Sequence, residues 1–183
     1  MQGRSIIAQL VLAAALALGA CSDAREPDVS SSGGLLLIIP GFPPGSAVPK
    51  EYTCRGKNRS PGLNWSLAPR GTLSFALVLE DPDAPEGTFR HWGAYDIPAS
   101  VHQLAAGAGD SDELKETSND FDRSGYGSPC PPKGEQPHHY RFRLMALDVA
   151  QISGAPADVQ DLLDATEDHV LGTAELTGVY GRR

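Results

Sequence analysis

The sequence predicts a mainly β fold in a single domain of ordinary size. Of its 183 residues 40% are hydrophobic, and 20 Gly with 15 Pro are more typical of loop-rich β structure than of a helical bundle. Thr72–Asp81 (TLSFALVLED) is apolar on both faces in its middle, as in a buried sandwich strand. His139–Val149 (HYRFRLMALDV) alternates, with Tyr140, Phe142 and Leu144 expected inward and Arg141 and Arg143 outward.

The N-terminal residues predict an export signal. Met1–Ala20 has one charge, Arg4, and then the apolar run Ile6–Ala20, interrupted only by Gln9. A run of about 15 residues is too short for a transmembrane helix, which needs roughly 20. It fits the apolar region of a secretory signal.

The end of this run resembles the lipobox of bacterial lipoproteins, in which the chain is cut before a cysteine that then carries lipid. Leu18–Cys21 (LGAC) matches that pattern, and the polar segment behind it predicts a flexible tether. The alternative is a buried helix with an incidental Cys21. We therefore expect a signal peptide at 1–20, a tether at 21–34 from lipidated Cys21, and one domain at 35–183.

The expected location is the periplasmic side of the bacterial envelope, and Ser22 after the cysteine favours the outer membrane by resemblance to the sorting pattern. The net charge of −8 disfavours binding to nucleic acid or to an anionic lipid surface. We expect membrane contact through the lipid anchor only. In that oxidising compartment Cys54 and Cys130 predict a disulfide, with two buried free thiols as the alternative.

Five further segments complete the expected domain. Leu35–Ile39 and His91–Ile97 are predicted strands, and Val170–Leu176 is a predicted closing strand. Pro156–Glu167 is the best helix candidate, because its apolar residues fall on one stripe. Asp110–Gly127 is polar and turn-rich, so we expect a long surface loop there.

Two segments concentrate side chains that can carry chemistry. The first is DPDAP, beginning at Asp81, with His91 and Trp92 just beyond it. The second is GSPCPPKG, which leads to His138, His139 and Tyr140. If the strand begins by His138, then His138 and Tyr140 share its inward face and describe a small polar pocket. The alternatives are aspartates that only cap a turn and histidines that are ordinary core residues.

Four stretches carry a resemblance to a known family. They are YTCRGKNRSPGLNW, DPDAPEGTFRHWGAYDIP, GYGSPCPPKGEQPHHYRF and HVLGTAELTGVY. Together they resemble the phosphatidylethanolamine-binding protein family, in its bacterial branch of Raf-kinase-inhibitor-like proteins, from about Leu35 to Tyr180. The resemblance implies a sandwich of two antiparallel sheets with a C-terminal helix and a small anion pocket at one end.

The resemblance also implies which residues form that pocket. They are Asp81, His91, Pro132, His138 and Tyr140, with Asp83 and Trp92 in support and backbone N–H groups around Cys130 as donors. The carboxylate of Asp81 would repel a bound anion. We therefore expect Asp81 to orient His91 or His138 and to favour its protonated form. This chain has His139 where the family usually has arginine.

The expected function is an envelope-anchored binding protein for a phosphoryl or carboxylate headgroup that modulates or inhibits a partner kinase or protease. No enzymatic activity and no cofactor are expected. One alternative is a metal-assisted hydrolase using Asp81, His91 and His138. The other is a protein-interaction module with a vestigial pocket.

Overall fold

The computed structural model describes residues 31–32, 34–111 and 114–182. The expected signal peptide and Cys21 lie outside these residues. Eleven strands occur in the described part: β1 Ser31–Ser32, β2 Leu36–Ile38, β3 Leu63–Ser66, β4 Ser74–Asp81, β5 Phe89–Pro98, β6 Gln103–Leu104, β7 Lys115–Glu116, β8 Ser118–Asn119, β9 Arg123–Ser124, β10 His138–Leu147 and β11 Val170–Tyr180. The helices there are α1 Val159–Thr166 and the 3-10 turns Lys50–Tyr52, Ala108–Asp110 and Glu167–His169.

These strands form a mainly β architecture of antiparallel sheets, as the sequence predicts. A six-stranded sheet has the order β1-β11-β10-β4-β5-β7, and a three-stranded sheet has the order β2-β3-β6. β8 and β9 form a separate two-stranded ribbon. The main core lies between the two larger sheets and contains Leu37, Trp65, Phe75, Leu79 and Phe142.

The central strand β4 is buried on both faces, which confirms the prediction from its sequence. Phe75, Leu77 and Leu79 belong to the core between the sheets. Ala76 and Val78 on the other face belong to a second cluster under α1. A strand with apolar residues on both faces fits this position, because it has a packed layer on each side.

Helix α1 covers the outer face of the six-stranded sheet. The side chain of Asp158 caps it by accepting the Asp161 N–H at 2.9 Å. Val159 and Leu162 are fully buried in the second cluster. The sequence predicted Pro156–Glu167, and the helix is shorter because the chain becomes helical only after its Asp158 cap.

Two expected boundaries are wrong. The tether was expected to extend to residue 34, but Ser31 and Ser32 pair with Ala174 and Thr173 as β1. An edge strand pairs through backbone N–H and C=O groups, which every residue has. Such pairing therefore needs no apolar pattern in the sequence of the added strand. The closing strand was expected to stop at Leu176, but β11 continues to Tyr180 beside β10.

The expected surface loop at Asp110–Gly127 is also wrong in part. The described residues of this segment include β7, β8 and β9, and Gly125–Gly127 is buried. Tyr126 is fully buried, and its hydroxyl donates to the Tyr52 carbonyl at 2.7 Å. Strands of two residues are too short to show a period-2 pattern, so the sequence could not reveal them.

Strand register defines the two ends of the six-stranded sheet. At one end, His138 pairs with Tyr180 and Asp81 pairs with Phe89; we call this the His138 end. At the other, Leu147 pairs with Val170 and Ser74 pairs with Pro98; we call this the Val170 end.

Candidate functional site

A β-bulge places His91 at the His138 end. Leu79 pairs with Trp92 and Glu80 pairs with Arg90, so His91 is the extra residue between them. A bulge interrupts the alternation of the strand and re-aims a side chain. The imidazole of His91 consequently lies against the ring of Tyr140, with centroids 5.3 Å apart.

His138 and Asp81 form a buried pair beside it. The two residues are 4% and 3% exposed, and His138 Nδ1 lies 2.8 Å from Asp81 Oδ2. The other carboxylate oxygen of Asp81 accepts the Asp83 N–H at 3.0 Å. The sequence left His91 and His138 as alternative partners of Asp81, and the structure shows that the partner is His138.

The charge of Asp81 favours the protonated form of His138. Burial lowers the pKa of His138, but the hydrogen bond and the charge of Asp81 outweigh it, so the pKa is raised overall. The outer nitrogen, Nε2, lies 3.5 Å from the carboxylate of Glu135. Negative charge therefore lies on both sides of this imidazole.

His91 is held in the opposite protonation state. Burial lowers its pKa below the usual range, so the ring is neutral near pH 7. Its Nδ1–H donates to the Gly127 carbonyl at 2.9 Å. In that tautomer Nε2 carries a lone pair, and the ring must gain a proton before Nε2 can donate to an anion.

The hydroxyl of Tyr140 is buried. Tyr140 has no exposed surface, and its oxygen has no hydrogen-bond partner of good geometry among the residues that the structure describes. Burial raises the pKa of Tyr140, and so do the charge of Asp81 and a side-chain interaction between the hydroxyl and that carboxylate, so the hydroxyl stays protonated. The only group that competes for this hydroxyl among the described residues is therefore Asp81, which already binds His138 and the Asp83 N–H.

A disulfide ties the wall of the site to the rest of the domain. Cys54 and Cys130 are bonded, with Cα atoms 5.4 Å apart. The Cys54 N–H also donates to the Pro129 carbonyl at 3.1 Å. Gly127, whose carbonyl accepts the His91 N–H, begins the segment that ends at Pro132. The disulfide at Cys130 holds this segment in place. A wall held in this way keeps its shape when no ligand is bound.

The remaining predicted residues lie around this centre in different ways. Asp83 accepts both the backbone N–H and the Nδ1–H of exposed His139 at 2.7 Å. Its pKa is lowered, chiefly by the hydrogen bond from the His139 backbone. Pro132 is exposed. Trp92 donates its indole N–H to Glu116 at 2.6 Å, so that group is engaged away from the pair.

Two contributing residues were not predicted. Glu135 lies over His138, and Arg182 Nη1 reaches the Cys130 sulfur at 3.5 Å and the Pro131 carbonyl at 3.4 Å. An open cavity of about 570 Å³ beside the pair is lined by Asp83, Gly134–Pro137, His138 and His139. No pattern could have identified Arg182, because its approach depends on how the last residues fold back.

Metal binding was the alternative for these side chains. Within residues 31–32, 34–111 and 114–182, no three His, Cys, Asp or Glu side chains are placed to hold one metal ion.

The same residues include no helix of the length and apolarity needed to cross a membrane.

An antiparallel sandwich with a buried His–Asp pair, a second histidine and a tyrosine at one end defines a class of small β-sandwich proteins with a buried polar cluster at that end; of these four residues, only His138 lines the adjoining cavity. The family model described as phosphatidylethanolamine-binding protein matches residues 39–181. The chain belongs to the phosphatidylethanolamine-binding protein family, as its motifs indicate.

Relatives and solved structures agree with this assignment. The UPF0098 protein of Aquifex aeolicus is 40% identical over 158 residues, covering 83% of this chain and 92% of the relative. Escherichia coli YbcL, described as a new member of the mammalian PEBP family, has a TM-score of 0.76 at 34% identity, covering 82% of this chain and 99% of that one. The homologue CT736 of Chlamydia trachomatis has a TM-score of 0.74 at 35% identity, covering 83% and 100%.

Proposed function

We propose that this protein binds a small anion, a phosphoryl or carboxylate group, at the His138 end. The binding groups are the protonated His138, the Tyr140 hydroxyl and His91 after it gains a proton. Asp81 does not contact the anion and instead keeps His138 charged. The name of the family, which refers to a phosphate-bearing lipid headgroup, supports the same chemistry.

The observation that carries the proposal is the buried hydroxyl of Tyr140, which has no hydrogen-bond partner of good geometry among the described residues. Leaving a buried donor unsatisfied costs about 1–3 kcal/mol. An anion with a lone pair aimed at this hydroxyl removes that penalty when it binds. Because Asp81 is already hydrogen-bonded to His138 and to the Asp83 N–H, a ligand oxygen is the more suitable acceptor.

Proton uptake accompanies binding in this proposal. His91 is neutral in the free protein because burial lowers its pKa. An anion beside the ring favours the imidazolium and raises that pKa again. Between the pKa of His91 in the free protein and its higher pKa in the complex, the complex holds more protons than the free protein, so affinity falls as pH rises through that window.

Two tyrosine-to-phenylalanine variants test the proposal. Tyr140→Phe removes the poorly satisfied hydroxyl and its penalty, so the melting temperature should not fall and should rise by up to several degrees, while affinity for phosphoethanolamine falls roughly tenfold. The matched control Tyr126→Phe removes the hydrogen bond to Tyr52, so it lowers the melting temperature and leaves affinity unchanged. Calorimetric titration measures affinity; equal binding by Tyr140→Phe and wild type would contradict the proposal.

We also propose that the chain is held at the periplasmic side of the bacterial envelope by a lipid on Cys21. The order of charge, apolar run, small residues and cysteine at positions 1–21 supports this. Replacement of Cys21 by Ser should move the protein from the membrane fraction to the released fraction. Unchanged membrane association of Cys21→Ser would refute the anchoring.

A further inference from the structure

Cations are concentrated around the disulfide, although the chain carries a net charge of −8. The loop that holds Cys54 contributes three of them, and the segment after Cys130 and the residues after β11 contribute one each. The set is Lys50, Arg55, Lys57, Lys133 and Arg182, all of them exposed except Arg182, which is half-buried. Charges are screened over about 8 Å at physiological ionic strength, so a local group of cations attracts anions despite the net charge of the whole chain.

Backbone hydrogen bonds and the disulfide join the three parts of the chain that carry these cations. The bonded residues Cys54 and Cys130 have Cα atoms 5.4 Å apart. Arg182 Nη1 lies 3.5 Å from the Cys130 sulfur, and the Arg182 carbonyl accepts the Gly134 N–H at 3.0 Å. Within the loop, the Lys57 N–H donates to the Glu51 carbonyl at 3.1 Å. The cations therefore belong to one surface that is ordered before any partner binds.

None of these five cations has an ion pair with a carboxylate among the residues that the structure describes. The Lys and Arg side chains with ion pairs there are Arg90, Lys115, Arg141 and Arg143. The carboxylates closest in sequence to the cationic lysines interact with other groups. The Glu135 carboxylate lies 3.5 Å from His138 Nε2. Burial and then the charge of Glu51 raise the pKa of Tyr52, so Glu51 interacts with that hydroxyl.

An open cleft of about 540 Å³ adjoins these cations. It is lined by residues 47–48 and 179–182, whose backbones pair, and by residues 135–137. Residues 135–137 also line the cavity beside His138, so the cleft lies next to the proposed anion site. Pro137 and Tyr180 give the cleft apolar surface, and Arg182 brings a cation to it. We name this cleft, together with the five cations, the basic cleft.

The shape and the charge of the basic cleft fit an extended acidic segment of a protein. A planar bilayer cannot enter a concave cleft. An extended chain, which advances about 3.3 Å per residue, can lie along the cleft and place successive carboxylates near separate cations. Apolar side chains of the same segment would contact Pro137 and Tyr180. A nucleic acid carries phosphates well beyond the cleft, and the net charge of −8 on the chain would repel them.

We propose that the basic cleft docks an extended acidic segment of a partner protein. The inference goes beyond the proposed function and does not rest on it, because the docking needs no ligand at His138. A partner bound in the basic cleft contacts residues 135–137, which also line the cavity beside His138. The docked protein therefore lies beside the proposed anion site.

Fluorescence anisotropy of a fluorescein-labelled oligoglutamate peptide tests the docking on the whole chain. An oligoglutamine peptide of the same length is the uncharged control and should not bind. Lys57→Glu and Lys133→Glu reverse exposed cations in two different segments, and each should weaken binding of oligoglutamate roughly fivefold. Two positions keep the test valid if one variant does not fold.

Arg70→Glu is the matched control variant. Arg70 is exposed and has no ion pair among the described residues, but it lies in the turn between β3 and β4, at the Val170 end. Its reversal should change the affinity for oligoglutamate by less than about twofold, because screening weakens the attraction over that distance.

The outcomes separate docking in the basic cleft from general charge attraction and from the proposed anion site. Equal weakening by all three reversals, or no saturable binding of oligoglutamate by wild type, overturns the inference. Displacement of the peptide by saturating phosphoethanolamine also overturns it, since both would then use the His138 end. Stronger competition by phosphatidylglycerol vesicles than by unlabelled oligoglutamate at equal charge would assign the basic cleft to anionic lipid and contradict a protein partner. Intact peptide binding without any binding of phosphoethanolamine supports this inference and contradicts the proposed function.

Discussion

Replacing His138 by Ala should destabilise the domain through the carboxylate it leaves behind. Asp81 is 3% exposed, and after the replacement it keeps one donor, the Asp83 N–H at 3.0 Å. Removing one partner of a buried ion pair costs about 3–5 kcal/mol. Because one donor remains, we expect the lower value, about 3 kcal/mol. For a domain of this size that corresponds to a fall of about 6–12 °C in melting temperature.

The pH dependence of the stability lost in His138→Ala shows whether the His138–Asp81 pair is the cause. The pKa of His138 is raised on folding, so its contribution to stability is complete below the unfolded value of 6.5 and decreases as pH rises through the folded value. The difference in unfolding free energy between wild type and His138→Ala should therefore be full below about pH 6.5 and should decrease as pH rises through the folded value.

His139→Ala is the matched control for this experiment. His139 also pairs with an aspartate, at 2.7 Å, but the two side chains are 57% and 43% exposed. Exposed pairs contribute about 0–1 kcal/mol, so this variant should unfold within about 1 kcal/mol of wild type in urea. The reasoning is refuted if both variants lose the same stability, or if the loss for His138→Ala does not vary with pH.

Four further outcomes are expected. Glu135→Gln removes a half-exposed negative charge 3.5 Å from His138, so phosphoethanolamine should bind roughly fivefold more tightly by calorimetry; unchanged affinity would contradict this. Affinity of the wild type should fall by up to about tenfold per pH unit between the pKa of His91 in the free protein and its higher pKa in the complex, and a flat profile would exclude proton uptake there. Cys54→Ser opens a disulfide closing a loop with a separation of 76 residues, and unfolding free energy should fall by about 4 kcal/mol; a loss below 1 kcal/mol would show that the bond is dispensable. Gly178→Ala forces a methyl group into the ring of Phe42, so the melting temperature should fall, whereas an unchanged value would show that this ring moves freely.

The strands of the central sheet were predictable because their side chains follow simple periods. β4 is apolar on both faces, and in β10 Tyr140, Phe142 and Leu144 alternate with arginines. Such patterns follow from burial, which acts on every second residue of a strand. By contrast, β1 and β7–β9 are held by backbone pairing over two residues each and leave no pattern to find.

The candidate site was predictable only in part for a related reason. His138 and Tyr140 share a face of one strand, so their proximity follows from period-2 geometry. His91 joins them through a bulge, and a bulge depends on the register between β4 and β5. Glu135 approaches His138 from an irregular segment of prolines and glycine, where side-chain direction does not follow from spacing.

The neutral state of His91 likewise depends on burial by residues distant in the chain. Phe121 packs 5.3 Å from it, centroid to centroid, from the ribbon of β8 and β9. The sequence marked His91 as a candidate, but it could not state which protonation form the folded protein holds. That form decides whether binding takes up a proton.

The most direct test of the central claim is nuclear magnetic resonance of the histidine rings during addition of phosphoethanolamine near pH 6. The proposed site predicts saturable shifts of the His91 and His138 ring signals, with the His91 nitrogens moving towards the imidazolium form. The imidazoles of His102 and His169, which do not line the cavity beside His138, are internal controls and should move little. Unchanged His91 and His138 signals at millimolar ligand would contradict the claim that this pocket binds anions.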